Sequence, residues 1–269
     1  MLRNNGWIFT ALCGLLLAGC VSKIPQTTQL SSPESVQALE RWSSFLQHPR
    51  PKALDADYRL RWKVLGSQGG VDAVLLLQQP AMLRFAANDP LGRALVLLVS
   101  DGRRFTLVDN RKAEAYTGNT DSALWHEYVP ASIQPQDLFA YLGGLVEPEW
   151  IGRVEPFLDA QGKGYWYRFQ DQQGLTHYLL LGAQTGRLQR HLLFDEEDDD
   201  LLDLDYSGQV GSPRPGEEGL QWPGLVKVSG EAVTGEVELS LEKLYGFSVR
   251  GTSAFRLSLP PHYSVKEVE

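Results

Sequence analysis

Apolar and polar positions along the chain follow two rhythms, one short helical stretch and then a long run of alternation. Val36, Leu39, Trp42 and Leu46 recur at helical spacing, and Phe45 widens the same stripe. Ser32-Pro33-Glu34 offers a capping hydroxyl, a first-turn proline and an early acid, and Pro49 ends the segment. This predicts a helix that lays its Val36–Leu39–Trp42–Leu46 stripe on a sheet. From Asp57 the period becomes two. Tyr58, Leu60, Trp62 and Val64 alternate with Arg59, Arg61 and Lys63, as a half-buried strand requires. Strands are expected next at Val71–Gln79, Met82–Ala87, Leu95–Val99, Arg104–Asp109 and Lys112–Thr117, with Asp101-Gly102 as a hairpin turn. Two short helices are expected at Asp121–Tyr128 and Pro135–Leu142, the second stopped by Gly143-Gly144. After Pro156 the strand rhythm returns. It predicts strands around Tyr165–Phe169 and at Thr176–Leu181, Arg187–Phe194, Leu201–Tyr206, Leu225–Ser229, Gly235–Leu241 and Phe255–Leu259.

Strands and helices do not alternate, so a doubly wound parallel sheet is excluded as the simplest reading. No fixed repeat points to a propeller or solenoid. The expected class is α+β, mostly antiparallel β: a large sheet curled around a few helices. Several strands are apolar on both faces, for example Val74–Leu77 and Ala94–Val99. A sheet open to water on one face does not read this way. Either helices cover the second face, or it lines an apolar cavity. By alternation, Tyr58, Leu60, Trp62, Val64, Leu76 and Leu95 are candidates for core or cavity lining.

The first residues change the picture. Arg3 precedes the apolar run Trp7–Ala18, whose 12 residues are too few to span a bilayer. A basic start, a short apolar core and small residues after it read as a secretory signal. The run ends in Leu17-Ala18-Gly19-Cys20, which looks like a bacterial lipobox. The expectation is a leader over residues 1–19, a lipidated Cys20 at the head of a polar tether through residue 32, and a folded domain over 33–269. Removal of the leader also removes Cys13, so no free thiol remains for catalysis.

Net charge is −8, without the basic surplus that phosphate backbones select, so nucleic-acid partners are not expected. The five histidines include no HExxH and no helical metal spacing, and neither a GxSxG elbow nor a phosphate loop is present. His177 and His191 are placed to face each other across a hairpin, as a polar pair. The six acids Asp195–Asp200 read as a solvated loop, with a weak calcium site as the lesser reading. Neither an enzyme nor a cofactor is indicated.

One stretch carries a resemblance. Asn88–Thr117 combines Pro90-Leu91-Gly92, an apolar strand, a turn, Phe105-Thr106-Leu107-Val108-Asp109-Asn110 and a Tyr116-Thr117 ending. With Gln78-Gln79 before it and the Pro135–Leu142 helix after it, the region from Asp57 to Trp150 resembles the LolB family. These are outer-membrane lipoproteins that receive other lipoproteins from the periplasmic carrier LolA. The ending Phe255-Arg256-Leu257-Ser258-Leu259-Pro260 resembles the wider LolA-like group. The resemblance implies a half-open curved β-barrel with a few helices as lid, and an apolar cavity for the acyl chains of lipoproteins or other lipids. It further implies a LolA-like carrier as partner, and an exposed leucine in the Pro90–Gly92 loop, here Leu91, that helps deliver cargo into the membrane. Val21 after the cysteine, by the enterobacterial sorting rule, favours the outer membrane, with the domain facing the periplasm. An envelope assembly role on the same fold is the alternative. Asp89 and Arg93 make this loop more charged than the family's pattern.

Overall fold

The computed structural model describes residues 24–64, 66–233 and 235–269; the expected leader and Cys20 lie outside them. The chain begins with β1 (Thr27–Thr28) and α1 (Ser32–Leu46), followed by β2 (Ala53–Val64), β3 (Ser67–Gln78) and β4 (Met82–Asn88). The meander continues through β5 (Ala94–Ser100), β6 (Arg104–Asp109) and β7 (Glu114–Asn119). A connecting segment then carries α2 (Ala123–His126), α3 (Leu138–Gly143) and the 3-10 turn Pro148–Trp150. A second meander runs through β8 (Glu155–Asp159), β9 (Gly164–Gln170), β10 (Thr176–Gly182), β11 (Leu188–Phe194), β12 (Asp200–Gly211), β13 (Gln221–Gly230) and β14 (Gly235–Gly246). After the 3-10 turn Thr252–Phe255, β15 (Ser264–Val268) ends the chain.

All of these strands form one sheet, in the order β1-β8-β9-β10-β11-β12-β13-β14-β2-β3-β4-β5-β6-β7-β15. The two meanders join through the antiparallel β14–β2 pair, and the parallel β15–β7 pair closes one edge. The result is an open, curved, mostly antiparallel sheet with few helices, the coarse architecture that the alternation predicts. Bulges near Leu241 and Leu244 in β14 interrupt its ladder with β2, where added twist bends the sheet. Asp101-Gly102 turns as expected: Asp101 Oδ1 accepts the amides of Arg103 and Arg104 at 2.9 Å, and Gly102 takes a φ of 91°.

The inner face is written in the register. Ala56, Leu75, Phe85, Leu98, Leu107 and Tyr116 are successive cross-strand partners, and all belong to the main core cluster. One residue out of phase, Asp55, Leu76, Arg84, Val99 and Thr106 form the outer row. Among the described residues no α-helix covers this part of the second apolar face, and a cavity of about 420 Å³ lies along it beside Val99, Thr106 and Phe255. The segment between β14 and β15 crosses this face instead. Arg250 pairs with Asp55 at 2.6 Å, Arg84 donates to Ala254 O at 3.1 Å, and Phe255 is buried. This is why Phe255–Leu259, expected as a strand, opens on a 3-10 turn and continues as irregular chain. Further round the sheet, Trp166, Leu180, Leu192 and Phe194 form a separate apolar cluster of their own.

Two expectations at the N-terminus need correction. In α1 the buried residues are Ala38, Trp42 and Phe45, whereas Val36 and Leu39 are 59% and 45% exposed. Both sets have helical spacing, and contact with β9 selects the first: Tyr167 OH donates to Ala38 O at 2.8 Å, and Trp42 stacks on Tyr167 at 4.9 Å. The N-terminus of α1 is held by a capping box between Ser31 and Glu34. The polar tether is not wholly free either. Thr27 and Thr28 pair with Asp159 and Leu158, and Ala160 N–H donates to Gln26 O at 3.1 Å. Five residues lie between Cys20 and Gln26, a reach of about 20 Å when fully extended.

Candidate functional site

The space between the inner face of the sheet and the helices is filled by aromatic side chains. Trp42 of α1 covers Tyr167, and Phe105 of β6 meets Trp125 of α2 at 5.5 Å. Phe139 of α3 packs edge-on against Trp222 of β13 at 5.1 Å. A stack runs through the middle: Phe169, His177, Trp150 and Tyr141, with successive centroids 4.8, 5.4 and 4.8 Å apart. Rings of this size bury large areas in few contacts, so they dominate the stability of this interior.

His177 and His191 lie inside that stack, from β10 and β11. His177 Nδ1 is 2.9 Å from His191 Nε2, and His177 Nε2 is 3.4 Å from Asp171 Oδ2. The network assigns the protons: His177 donates from Nε2 to Asp171, and His191 donates from Nε2 to His177. His191 Nδ1 then remains a buried acceptor without a partner among the described residues. Burial lowers the pKa of His177, and Asp171 only partly offsets this. Burial, reinforced by His177, lowers that of His191 far more. Burial opposes ionisation of Asp171, but hydrogen bonds from His177 and the amides of Leu175 and Gln173 hold its carboxyl below the usual range.

These shifts set a pH dependence. Both histidines bind protons more readily unfolded than folded, so stability falls as pH drops below about 6.5, the ordinary imidazole value. Asp171 adds a second loss only at lower pH, within the carboxylate range. The double variant His177→Gln/His191→Leu will flatten the first limb and leave the acid limb, as read from denaturation midpoints across pH. An unchanged first limb would mean that other groups carry it.

The residues expected at the site separate into three groups. Tyr58 is buried in the core, and Leu60, Trp62 and Val64 follow it on the same face toward the β2–β3 turn, where each is only half-buried. Trp62 lies across Gly69 on β3, where an added Cβ would come within 2.5 Å of its ring, and its Nε1 donates to Ser67 Oγ at 3.2 Å. Leu76 and Leu95 are out of phase with the core-facing Leu75 and Val96, so both sit on the outer side. In fully apolar strands, alternation gives two equal phases and the sequence does not choose between them.

The Pro90–Gly92 loop is a tight structure with one protruding side chain. Asp89 Oδ1 accepts the amides of Leu91 and Arg93, both at 2.9 Å. Its other oxygen takes Arg93 Nε at 2.7 Å, and Gly92 turns at a φ of 77°. Leu91 is 78% exposed, the most exposed large apolar side chain among the described residues. The two charges that make the loop unlike the family's pattern are thus paired with each other beneath its tip. The loop's amides, foremost that of Arg93, hold the Asp89 carboxyl below its ordinary range.

Asp195–Asp199 of the acidic run form the β11–β12 turn, whereas Asp200, expected in the same solvated loop, opens β12 and is buried. Asp195 Oδ1 accepts the amides of Glu197 and Asp199, and the tip is exposed. Among the described residues no group of three or more His, Cys, Asp or Glu converges on a point that would hold a metal ion. No helix there is long and apolar enough to cross a membrane.

The curved antiparallel sheet and its few helices define a LolA/LolB-like fold. The chain is 26% identical over 188 residues to the outer-membrane lipoprotein LolB of Aeromonas salmonicida, an alignment covering 67% of this chain and 91% of that protein. A lipoprotein-sorting protein domain of Vibrio parahaemolyticus superposes with a TM-score of 0.51 at 9% identity, over 84% of this chain and 97% of the other. A LolA-superfamily protein of Nitrosomonas europaea gives a TM-score of 0.49 at 10% identity, over 83% and 97%. No family model matches the sequence.

Proposed function

We propose that this chain is a membrane-anchored, non-catalytic lipoprotein that binds the acyl chains of other lipoproteins and helps place them at the outer membrane. The similarity to LolB, which spans nearly the whole of that protein, carries the reading. In this proposal residues 1–19 are the leader, acylated Cys20 is the anchor, and the domain faces the periplasm, where a LolA-like carrier brings cargo. The curved sheet acts as a half-open barrel, with α1, α2 and α3 as its lid. The cargo's acyl chains occupy the aromatic inner face, where burial of each methylene contributes about 0.8 kcal/mol and no catalytic group is needed. Leu91 is the loop residue that meets the receiving membrane.

The inner face is filled, so acyl chains enter only where a lid element yields. In this proposal α2 is the element that yields. It has four residues, and Trp125 Nε1 and the Ser122 Oγ at its N-cap are both buried without a hydrogen-bond partner. Each such group costs about 1–3 kcal/mol while it stays buried. The same filled interior favours a second reading, an assembly lipoprotein that binds a protein partner on its outside. Native mass spectrometry of protein purified from a bacterial host separates the two. Co-purified acyl species in stoichiometric amount supports the first reading. A clean apo mass, unchanged after incubation with cargo-loaded carrier, overturns it in favour of the second.

A further inference from the structure

An open cavity of about 1040 Å³ spans one end of strands β9 to β13. The register sets three segments side by side at that end: the tether, the β8–β9 turn and the β10–β11 turn. Thr27 lies opposite Asp159, Gly164 opposite Gly182, and Leu181 opposite Leu188. Ile24 forms part of the cavity wall, and Cys20 stands four residues before it, a reach of about 14 Å. The floor includes Trp166 and Leu180, both buried.

Among the described residues the wall carries the cations Lys163, Arg187, Arg190 and Lys227 and the acids Asp159 and Asp205. Most of these charges are already answered. Asp203 holds Arg190 through hydrogen bonds of 2.8 and 2.6 Å, and Glu238 lies 3.6 Å from Lys227. Asp159 is occupied by the amides of Gln161 and Lys163 and by Trp166 Nε1. Asp205 lies 3.9 Å from Arg190, and Lys227 and Lys163 also act on it from farther away. Arg187 stands apart. It is partly buried, its guanidinium donates to no described residue, and burial is the one influence on its charge. A guanidinium brings a charge and five donors, and leaving both unanswered away from water is costly. Arg41 of α1 reaches the same turn, donating to Gly182 O at 3.1 Å and to Ala183 O, and it makes no ion pair with a described residue. In sequence, Lys23 directly precedes Ile24. The chain as a whole carries −8, so an anionic surface repels most of it and attracts this end.

We propose that this cavity takes the phosphate of an anionic phospholipid headgroup in the membrane that holds the anchor, with Arg187 and Lys163 as its cationic contacts. The choice of a lipid over free phosphate rests on the reading of Cys20 as the anchor; the anion site itself does not. The Pro90–Gly92 loop turns at the opposite end of the strands, as the ladders from β14 through β2 and β3 to β4 require. This contact and insertion of Leu91 therefore call for different tilts of the tethered domain.

The test is amide hydrogen exchange on the mature, full-length lipoprotein held in nanodiscs. One set of discs is phosphatidylcholine alone, and the other is phosphatidylcholine and phosphatidylglycerol in equal parts. Amides of the β10–β11 turn will exchange about tenfold more slowly with phosphatidylglycerol present, and high salt will remove the difference. Arg187→Gln/Lys163→Gln will remove it too. That variant will keep its denaturation midpoint, since neither side chain makes a hydrogen bond with a described residue. Arg187→Lys, which keeps the charge, will retain most of the protection. Equal exchange in the two discs, or a difference that survives the double variant, overturns the proposal. So does inorganic phosphate that protects the turn equally well in phosphatidylcholine discs, which would make this a site for the free anion. Lipid-dependent protection of α2 and the inner face without protection of the turn overturns the site and leaves acyl binding standing. The reverse pattern supports the site and counts against acyl binding. A chain that does not stay with the discs lacks the anchor, and the membrane assignment falls with it.

Discussion

Trp42→Ala will destabilise the protein by about 3–5 kcal/mol and loosen α1 from the sheet. Trp42 is 6% exposed and touches three rings: Tyr167 at 4.9 Å, Phe45 at 5.8 Å and Phe169 at 6.0 Å. Polar ties of α1 to the strands include Tyr167 OH to Ala38 O, Tyr165 OH to Gln37 Oε1, and Arg41 to the carbonyls of Gly182 and Ala183. These contribute about 1 kcal/mol each, too little to replace the packing. The hole left by an indole does not collapse easily, because Tyr167 and Phe169 below it are held by their strands. Urea denaturation will show the lowered midpoint, and near-ultraviolet circular dichroism will show lost aromatic order. By contrast, Val36→Ala and Leu39→Ala will stay within about 0.5 kcal/mol of the parent, since both side chains are on the solvent side of α1. A large loss in either would mean that the helix is rotated from the arrangement described.

Leu91→Glu will leave folding and acyl binding intact while reducing transfer of bound cargo into vesicles by more than tenfold. The side chain is 78% exposed, so no core contact is lost. Moving a leucine into an apolar environment gains roughly 2 kcal/mol, which a carboxylate forfeits, and every 1.4 kcal/mol is tenfold in equilibrium. Asp89→Ala tests the same loop differently. It removes the acceptor of two amides and the partner of Arg93, so the tip loses its fixed shape while Leu91 is kept. Its transfer rate will fall by less than that of Leu91→Glu. Transfer unaffected by either change would remove the loop from the mechanism and shift weight to the partner-binding reading.

Local chemistry made much of this fold legible. Arg104–Asp109 was readable to the residue as β6, because a short apolar alternation sits between two turns with strong turn residues. Asp101-Gly102 turns where the sequence places it, with its glycine at positive φ. Less legible were the sheet margins. β1 and β15 have no pattern of their own, since Thr27-Thr28 and Ser264–Val268 become strands only by pairing with β8 and β7. A carboxylate-lined cavity left no trace in spacing either. Asp137, Glu147, Glu149 and Asp171, which line it, come from the N-cap of α3, the start and middle of a 3-10 turn and a β-hairpin turn, which meet only when the sheet curls.

The sequence by itself determined which residues alternate and where the chain turns. Those properties depend on neighbours a few positions away, through backbone period and turn conformation. Tertiary structure alone decided which of two apolar phases faces inward. It set Leu75 and Val96 against the core, and Leu76 and Leu95 on the other side. It chose Ala38, Trp42 and Phe45 over Val36 and Leu39 as the buried side of α1. It also brought His177 against His191, and closed an outer face with a C-terminal strap that reads as a strand in isolation. The reason is the same in each case. Where two faces are equally apolar, burial energy is degenerate along the chain, and only the partner packed across from it breaks the tie.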